Sequence, residues 1–221
     1  MKYPRTYHLP FSPGATKDDK RLSGDWFSHY KGKEVVITEK LDGENSCITR
    51  YDVFARSHGA PTRSPWSINL WGQDGLYWRV KDSIGEDEEI FGENLYGEHS
   101  IHYDGLTSHF YMFAVLRNDD SPVWYAWDDV VLMSEVLRVP TVPVLWRGVF
   151  NNEIELEAKV NELMLEPSTF GKTKEGVVMR VTNEFPLNDF SDNVCKWVRP
   201  GHVQTDEHWT RNWKKAELIQ Q

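Results

Sequence analysis

One stretch constrains this chain more than any other: Val35-Val36-Ile37-Thr38-Glu39-Lys40-Leu41-Asp42-Gly43-Glu44-Asn45. A β-branched apolar run reads as a buried strand, and it leads into a single lysine and then into Asp-Gly, which is turn chemistry. A lysine at the mouth of a buried strand has its stem held in protein and its amine at a cleft. Those surroundings are expected to disfavour the charged ammonium and to leave an amine nucleophile near neutral pH. The same residues also read as an exposed strand-end lysine followed by a hairpin turn. Lys-x-Asp-Gly alone does not separate the two.

The rest of the chain predicts an α+β architecture in which antiparallel sheets are flanked by helices. Residues 1–25, with Pro4, Pro10, Pro13 and Gly14, read as an irregular arm that Tyr7 to Phe11 pack onto the body, and a substrate role for Arg5 or His8 stays open. Residues 26–200 form the main domain, beginning with a hairpin of two strands around Asp42-Gly43. Ser64 to Ile84 read as helix interrupted near Gly72 and Gly75, with most of its tryptophans in the core. Strands follow at Phe91–Leu95, Phe110–Leu116 and Trp124–Trp127. A helix opens at Trp127-Asp128-Asp129 with Val130, Met133 and Leu137 at apolar spacing. A second helix runs from Glu153 to Leu165 with Leu156, Val160 and Leu163 on one stripe. Lys172 and Lys174 are expected in solvent. Val177–Val181 and Val194–Val198 close the sheets. The tail, 201–221, carries Trp209, Trp213, Lys214 and Lys215 on a possible helix.

Composition narrows the function classes. Net charge is −9, so no general attraction draws a polyanion, and any nucleic-acid contact must be local. Arg63, Arg79, Lys81, Lys172, Arg199 and Lys214 are the candidates. Cys47 and Cys195 sit in strand-like text, not at metal-ligand spacing. With no membrane-length apolar run and no signal peptide, a monomeric cytoplasmic protein is expected.

Six ordered blocks then carry a resemblance: Lys40-Leu41-Asp42-Gly43, Arg56-Ser57-His58-Gly59, Phe91-Gly92-Glu93-Asn94-Leu95-Tyr96-Gly97, Phe110 to Val115, Glu175-Gly176-Val177-Val178-Met179-Arg180 and Val194-Cys195-Lys196-Trp197. The series resembles the covalent nucleotidyltransferases, the polynucleotide ligases and mRNA capping enzymes, and within them the ATP-dependent RNA ligases. The resemblance implies an ATP-grasp-like adenylation domain. Only about twenty residues follow the last block, too few for an appended OB barrel.

It also implies the chemistry: ATP, with Mg²⁺ or Mn²⁺, joins a 5′-phosphate to a 3′-hydroxyl on RNA ends through AMP held on Lys40. A separate end-healing kinase or phosphatase is the implied partner. By position, Lys40 is the nucleophile and Glu39 belongs with the cofactor set. Arg56 matches the nucleotide-binding arginine, Glu93 the ribose contact and Phe113 the ring that stacks on adenine. Glu175 matches the metal-holding carboxylate, and Lys196 the lysine that neutralises the α-phosphate. Many relatives carry two lysines on alternate positions of the last strand, whereas positions 194 and 198 are Val here, so Arg180 or Arg199 would have to substitute. Two other readings stand beside this one: an end- or nucleotide-binding module without turnover, and a small DNA ligase.

Overall fold

In the computed structural model the described residues are 2–56, 59–201 and 213–220; Ser57 and His58 of the second block, and Trp209 of the tail, lie outside them. Eleven strands run β1 Tyr7–His8, β2 Glu34–Lys40, β3 Glu44–Thr49, β4 Val53–Ala55, β5 Glu88–Asn94, β6 Phe110–Arg117, β7 Val123–Trp124, β8 Val144–Val149, β9 Gly176–Val181, β10 Phe185–Pro186 and β11 Val194–Val198. The helices are α1 Ile68–Trp71, α2 Leu76–Val80, α3 Trp127–Leu137, α4 Glu153–Leu165 and α5 Phe190–Asn193. The strands form a five-stranded sheet, β1-β11-β9-β2-β8, and a six-stranded sheet, β10-β7-β6-β5-β3-β4. Every pairing is antiparallel except β1 with β11.

That order overturns the expected hairpin. β2 pairs with β8 and β9, whereas β3 pairs with β4 and β5, so Asp42-Gly43 carries the chain from one sheet to the other. The crossover is held by side chains. Asp42 accepts from the backbone N–H of Ser100 and Ile101 and from the Ser100 hydroxyl, while its own N–H donates to the Tyr103 hydroxyl. Gly43 is required by close approach: a Cβ there would lie 2.5 Å from the Asn94 carbonyl oxygen and 2.7 Å from the Leu95 side chain.

Alternation along β2 gives the five-stranded sheet two faces. Val35 and Ile37 join Val177, Met179, Val181 and Trp197 in one core, roofed by Leu156, Val160 and Leu163 of α4. These three side chains sit where the periodicity predicted, and each fully buried one contributes about 1.5–3 kcal/mol. Asn152 caps α4 by accepting from the Glu155 N–H, and the Glu155 carboxylate returns to the Asn151 N–H. At the other end Lys174, far from being solvated, is buried and donates to the Leu163 carbonyl at 2.7 Å. It satisfies a carbonyl that the last helical turn leaves without a partner. The second core lies on the six-stranded sheet under α3, where Val130 and Leu137 are buried and Met133 is half-buried.

The interrupted helix is present as α1 and α2, broken at Gly72 and Gly75. Its tryptophans are not core: Trp66 and Trp71 are half-buried and Trp78 is 53% exposed. Tyr77 and Leu70 fill the space instead. The arm enters the fold, since Tyr7 and His8 pair with Cys195 and Lys196 and Leu9 is fully buried. The described tail is extended rather than helical. Lys215 bridges Gly97, and Ala216 donates its N–H to the Tyr96 carbonyl.

Candidate active site

The second face of the five-stranded sheet is the floor of a cleft. Thr38 and Lys40 of β2, Val178 and Arg180 of β9, and Val194 and Lys196 of β11 all line a cavity of about 350 Å³. The ladder fixes their order, because Lys40 pairs with Gly176, Thr38 and Lys196 with Val178, and Val194 with Arg180. Arg180 therefore lies four residues along β9 from the Lys40 level, roughly 13 Å at strand rise.

The six-stranded sheet supplies the opposite wall: Glu44 and Asn45 of β3, Arg56 just past β4, Glu93 of β5 and Phe113 of β6. Phe113 breaks the alternation of β6. Ala114 pairs with Phe91 and Met112 with Gly92, so Phe113 has no opposite number and forms a bulge. A bulge re-aims a side chain, and here it leaves a half-buried ring at the cleft between the two cores. Tyr3, Pro4, Thr6, His99, Trp127 and Val142 complete the lining.

Charge in the cleft is closely compensated. Lys40 donates to Glu175 at 2.7 Å, with the lysine side chain 25% exposed and the carboxylate 6%. Burial acts against the ammonium, but Glu175, Glu93 and Asp42 together outweigh it and hold the Lys40 pKa above its ordinary value. The expectation of an uncharged amine is thus overturned for the ligand-free site, chiefly by two carboxylates distant in sequence, one from β5 and one from the residue before β9. Burial, and next the charge of Lys40, push Lys196 downward instead. Glu93 accepts the Gly43 N–H at 3.0 Å, and burial raises its carboxyl to about 8 despite the nearby Lys40. Arg180 is 5% exposed and donates to the backbone carbonyls of Tyr125, Phe113 and Val181. Among the described residues no carboxylate pairs with it, and burial lowers its pKa to about 10.

A family model for RNA ligase matches residues 33–198. The chain belongs to the RNA ligase family. Solved structures similar in fold include an archaeal ATP-dependent RNA ligase, at 15% identity and TM-score 0.57, with 90% of this chain and 48% of that one covered. A Naegleria gruberi RNA ligase variant with ATP and Mn gives 18% and 0.55, covering 79% and 52%. A putative ATP-dependent DNA ligase from Aquifex aeolicus gives 16% and 0.57, covering 90% and 50%. The chain spans about half the length of these structures. No curated protein matches.

Of the residues the RNA ligase resemblance singled out, Glu39, Lys40, Arg56, Glu93, Phe113 and Lys196 line the one cavity, and Glu175 reaches it through Lys40. Glu39 does so without its carboxylate. That group lies on the α4 face, buried, and accepts from the Ser168 hydroxyl and the Thr169 N–H. Arg180 pairs with Val194, one of the two alternate positions beside Lys196 that hold valine, whereas Arg199 stands outside the lining. His8 is buried on β1 against Ser12 and Asp19 and does not reach the cavity. Of the basic surface residues, Arg63 is paired with Asp52, Lys81 with Asp82, and Arg79 donates to the Leu137 and Arg138 carbonyls. Tyr3 and His99 were not singled out by sequence, because neither stands in a block.

A divalent cation fits this chemistry. Glu175 adds to the upward push on the Glu93 carboxyl, and both carboxylates bear on the single ammonium of Lys40. Among the described residues no three His, Cys, Asp or Glu converge as a metal cage. No described helix is long and apolar enough to cross a membrane.

Proposed function

We propose that this chain is an ATP-dependent RNA ligase that works through AMP carried on Lys40. The observation behind this reading is the Lys40–Glu175 pair at the strand mouth, inside a cleft that also holds Arg56, Glu93, Phe113 and Lys196. In the first transfer the Lys40 Nζ, having given its proton to solvent, attacks the α-phosphorus of ATP. An N–P bond forms, the bond to the bridging oxygen breaks, and pyrophosphate leaves. AMP then passes to an RNA 5′-phosphate and frees the lysine. Finally a 3′-hydroxyl attacks that phosphate, AMP departs and the phosphodiester is made.

The residues divide the work. Phe113 offers a stacking face for the base, Glu93 an acceptor for ribose hydroxyls, and Arg56 a forked donor for sugar and phosphate. Lys196 and Arg180 supply positive charge along the floor. Glu175 would hold Mg²⁺ or Mn²⁺ with substrate phosphates, and that ion would neutralise charge on the transferring phosphoryl group. RNA ends, an end-healing partner, a monomeric state and a cytoplasmic setting belong to the same proposal.

The test is incubation with ATP labelled at the α-phosphate and Mg²⁺. Label on the chain that survives alkali and is released by hot acid, as the N–P bond of a lysine phosphoramidate requires, is expected. An unlabelled protein that still binds ATP would instead be a binding module. A second reading, a DNA-joining enzyme, is favoured only by the fold similarity to the Aquifex protein, and the sugar comparison below separates the two.

A further inference from the structure

The N-terminal segment enters the cleft at a place that the site described above does not account for. It is anchored downstream, where β1 pairs with β11, Leu9 donates its N–H to the Lys196 carbonyl and Gly14 to the Val198 carbonyl. From that anchor the chain leads back over the cavity, so that Tyr3, Pro4 and Thr6 are part of its lining. Tyr3 is the residue with chemistry.

Its ring is held by four others. Phe91, Trp124 and Phe190 lie 5.2, 5.4 and 5.1 Å away and are buried core residues, no more than 4% exposed. The fourth is Phe113, 5.1 Å away and edge-on at 71°. Phe113 sits on a bulge, free of a cross-strand neighbour, so its ring direction is not set by the ladder. Tyr3 wedges it against the fixed core. The Tyr3 hydroxyl has no hydrogen-bond partner among the described residues, although the phenol lies near Arg180 and Glu93. Burial keeps it protonated well above the ordinary tyrosine value, so it can both donate and accept. A half-buried tyrosine at the wall of a ligand-sized cavity, its hydroxyl not engaged by the protein, can bond to a polar ligand atom.

We propose that Tyr3 is a nucleobase-recognition residue: its ring fixes the stacking face of Phe113, and its hydroxyl bonds to the polar edge of the base stacked there. The inference rests on the reading of the cleft as a nucleotide site. It makes the N-terminal segment part of that site rather than a strap on the fold. Tyr3 takes no part in bond making.

The experiment measures adenylation of the full chain with ATP, GTP, CTP and 2′-deoxy-ATP for wild type, Tyr3→Phe and Tyr3→Ala. Tyr3→Phe keeps all four ring contacts and loses only the oxygen. It is expected to raise KM for ATP about fivefold, to leave kcat in place, and to lower the preference for ATP over GTP and CTP, in line with one lost hydrogen bond. Tyr3→Ala, which also frees Phe113, should raise KM further, roughly 10- to 50-fold. Wild type that takes no label from any of the four overturns the nucleotide-site reading itself. Labelled wild type with Tyr3→Phe unchanged in KM and base preference overturns the inference alone. So does a Tyr3→Phe effect confined to the ratio of ATP to 2′-deoxy-ATP, which would place the hydroxyl on the sugar. Tighter ATP binding by Tyr3→Ala would show a ring that blocks the pocket, and would overturn it too.

Discussion

Replacing Glu93 by Gln should make the protein more stable at alkaline pH, by an amount that grows as the pH rises. Burial pushes the Glu93 carboxyl from its ordinary 4.5 to about 8 in the folded chain. A carboxyl whose folded pKa lies above its unfolded value binds its proton more tightly when folded. Its contribution to stability is present below about 4.5 and is lost as pH rises through about 8. At about 1.36 kcal/mol per pH unit the displacement sets a ceiling of roughly 5 kcal/mol. Glu93 is half-buried, so water screens part of it, and about 2 kcal/mol is the expected size. Glutamine keeps an oxygen for the Gly43 N–H and removes the titration. The assay is ligand-free thermal and urea unfolding of both proteins at pH 5.5, 7 and 9. The midpoint of Glu93→Gln should gain about 4–8 °C on wild type between the first and last pH. A difference that stays constant across the series would refute the burial argument.

Gly43→Ala should destabilise the chain by about 1–3 kcal/mol in urea unfolding, because the methyl meets the Asn94 carbonyl at 2.5 Å; an unchanged midpoint would mean that the crossover relaxes freely. Glu175→Ala should depress kcat of adenylation more than it raises KM for ATP, since lost phosphate neutralisation is felt most in the transition state. Weak ATP binding with normal turnover would make Glu175 a structural partner of Lys40 only. With net charge −9, recognition of the polymer must be local to the join. DNA sugars in the last 3′-side nucleotides should therefore slow sealing strongly, and DNA on the 5′-phosphate side much less, at fixed salt. Equal rates on all-DNA and all-RNA ends would move the assignment to a DNA ligase.

The parts of this fold legible in sequence were those set by local pattern. β2 announced itself by Val35, Val36 and Ile37, and α4 by the spacing of Leu156, Val160 and Leu163, with bounds that match its 13 residues. The six blocks carried the cleft residues by resemblance, and all but Glu175 line the one cavity. What stayed hidden depends on partners distant in the chain. The Lys40 pKa is held up chiefly by Glu175, 135 positions away, and by Glu93, with Asp42 the one contributor near it in sequence. The sheet to which β3 belongs depends on β5, not on the Asp-Gly text before it. Alternation failed at Phe113 because a one-residue bulge has no periodic signature. Tryptophan count likewise says nothing of place, so Trp78 lies on the surface while Tyr77 beside it is buried.

The central claim is that Lys40, not another amine of the cleft, carries AMP. It is tested most directly by protease digestion and mass spectrometry of protein incubated with ATP and Mg²⁺. The account predicts one adduct of AMP on the peptide that holds Lys40, absent from Lys40→Ala, with that variant still sealing RNA that already bears a 5′-adenylate. Lys196 lines the same cavity and has the lower pKa tendency of the two, which makes it the natural competitor. An adduct on Lys196, or one that survives in Lys40→Ala, would contradict the account.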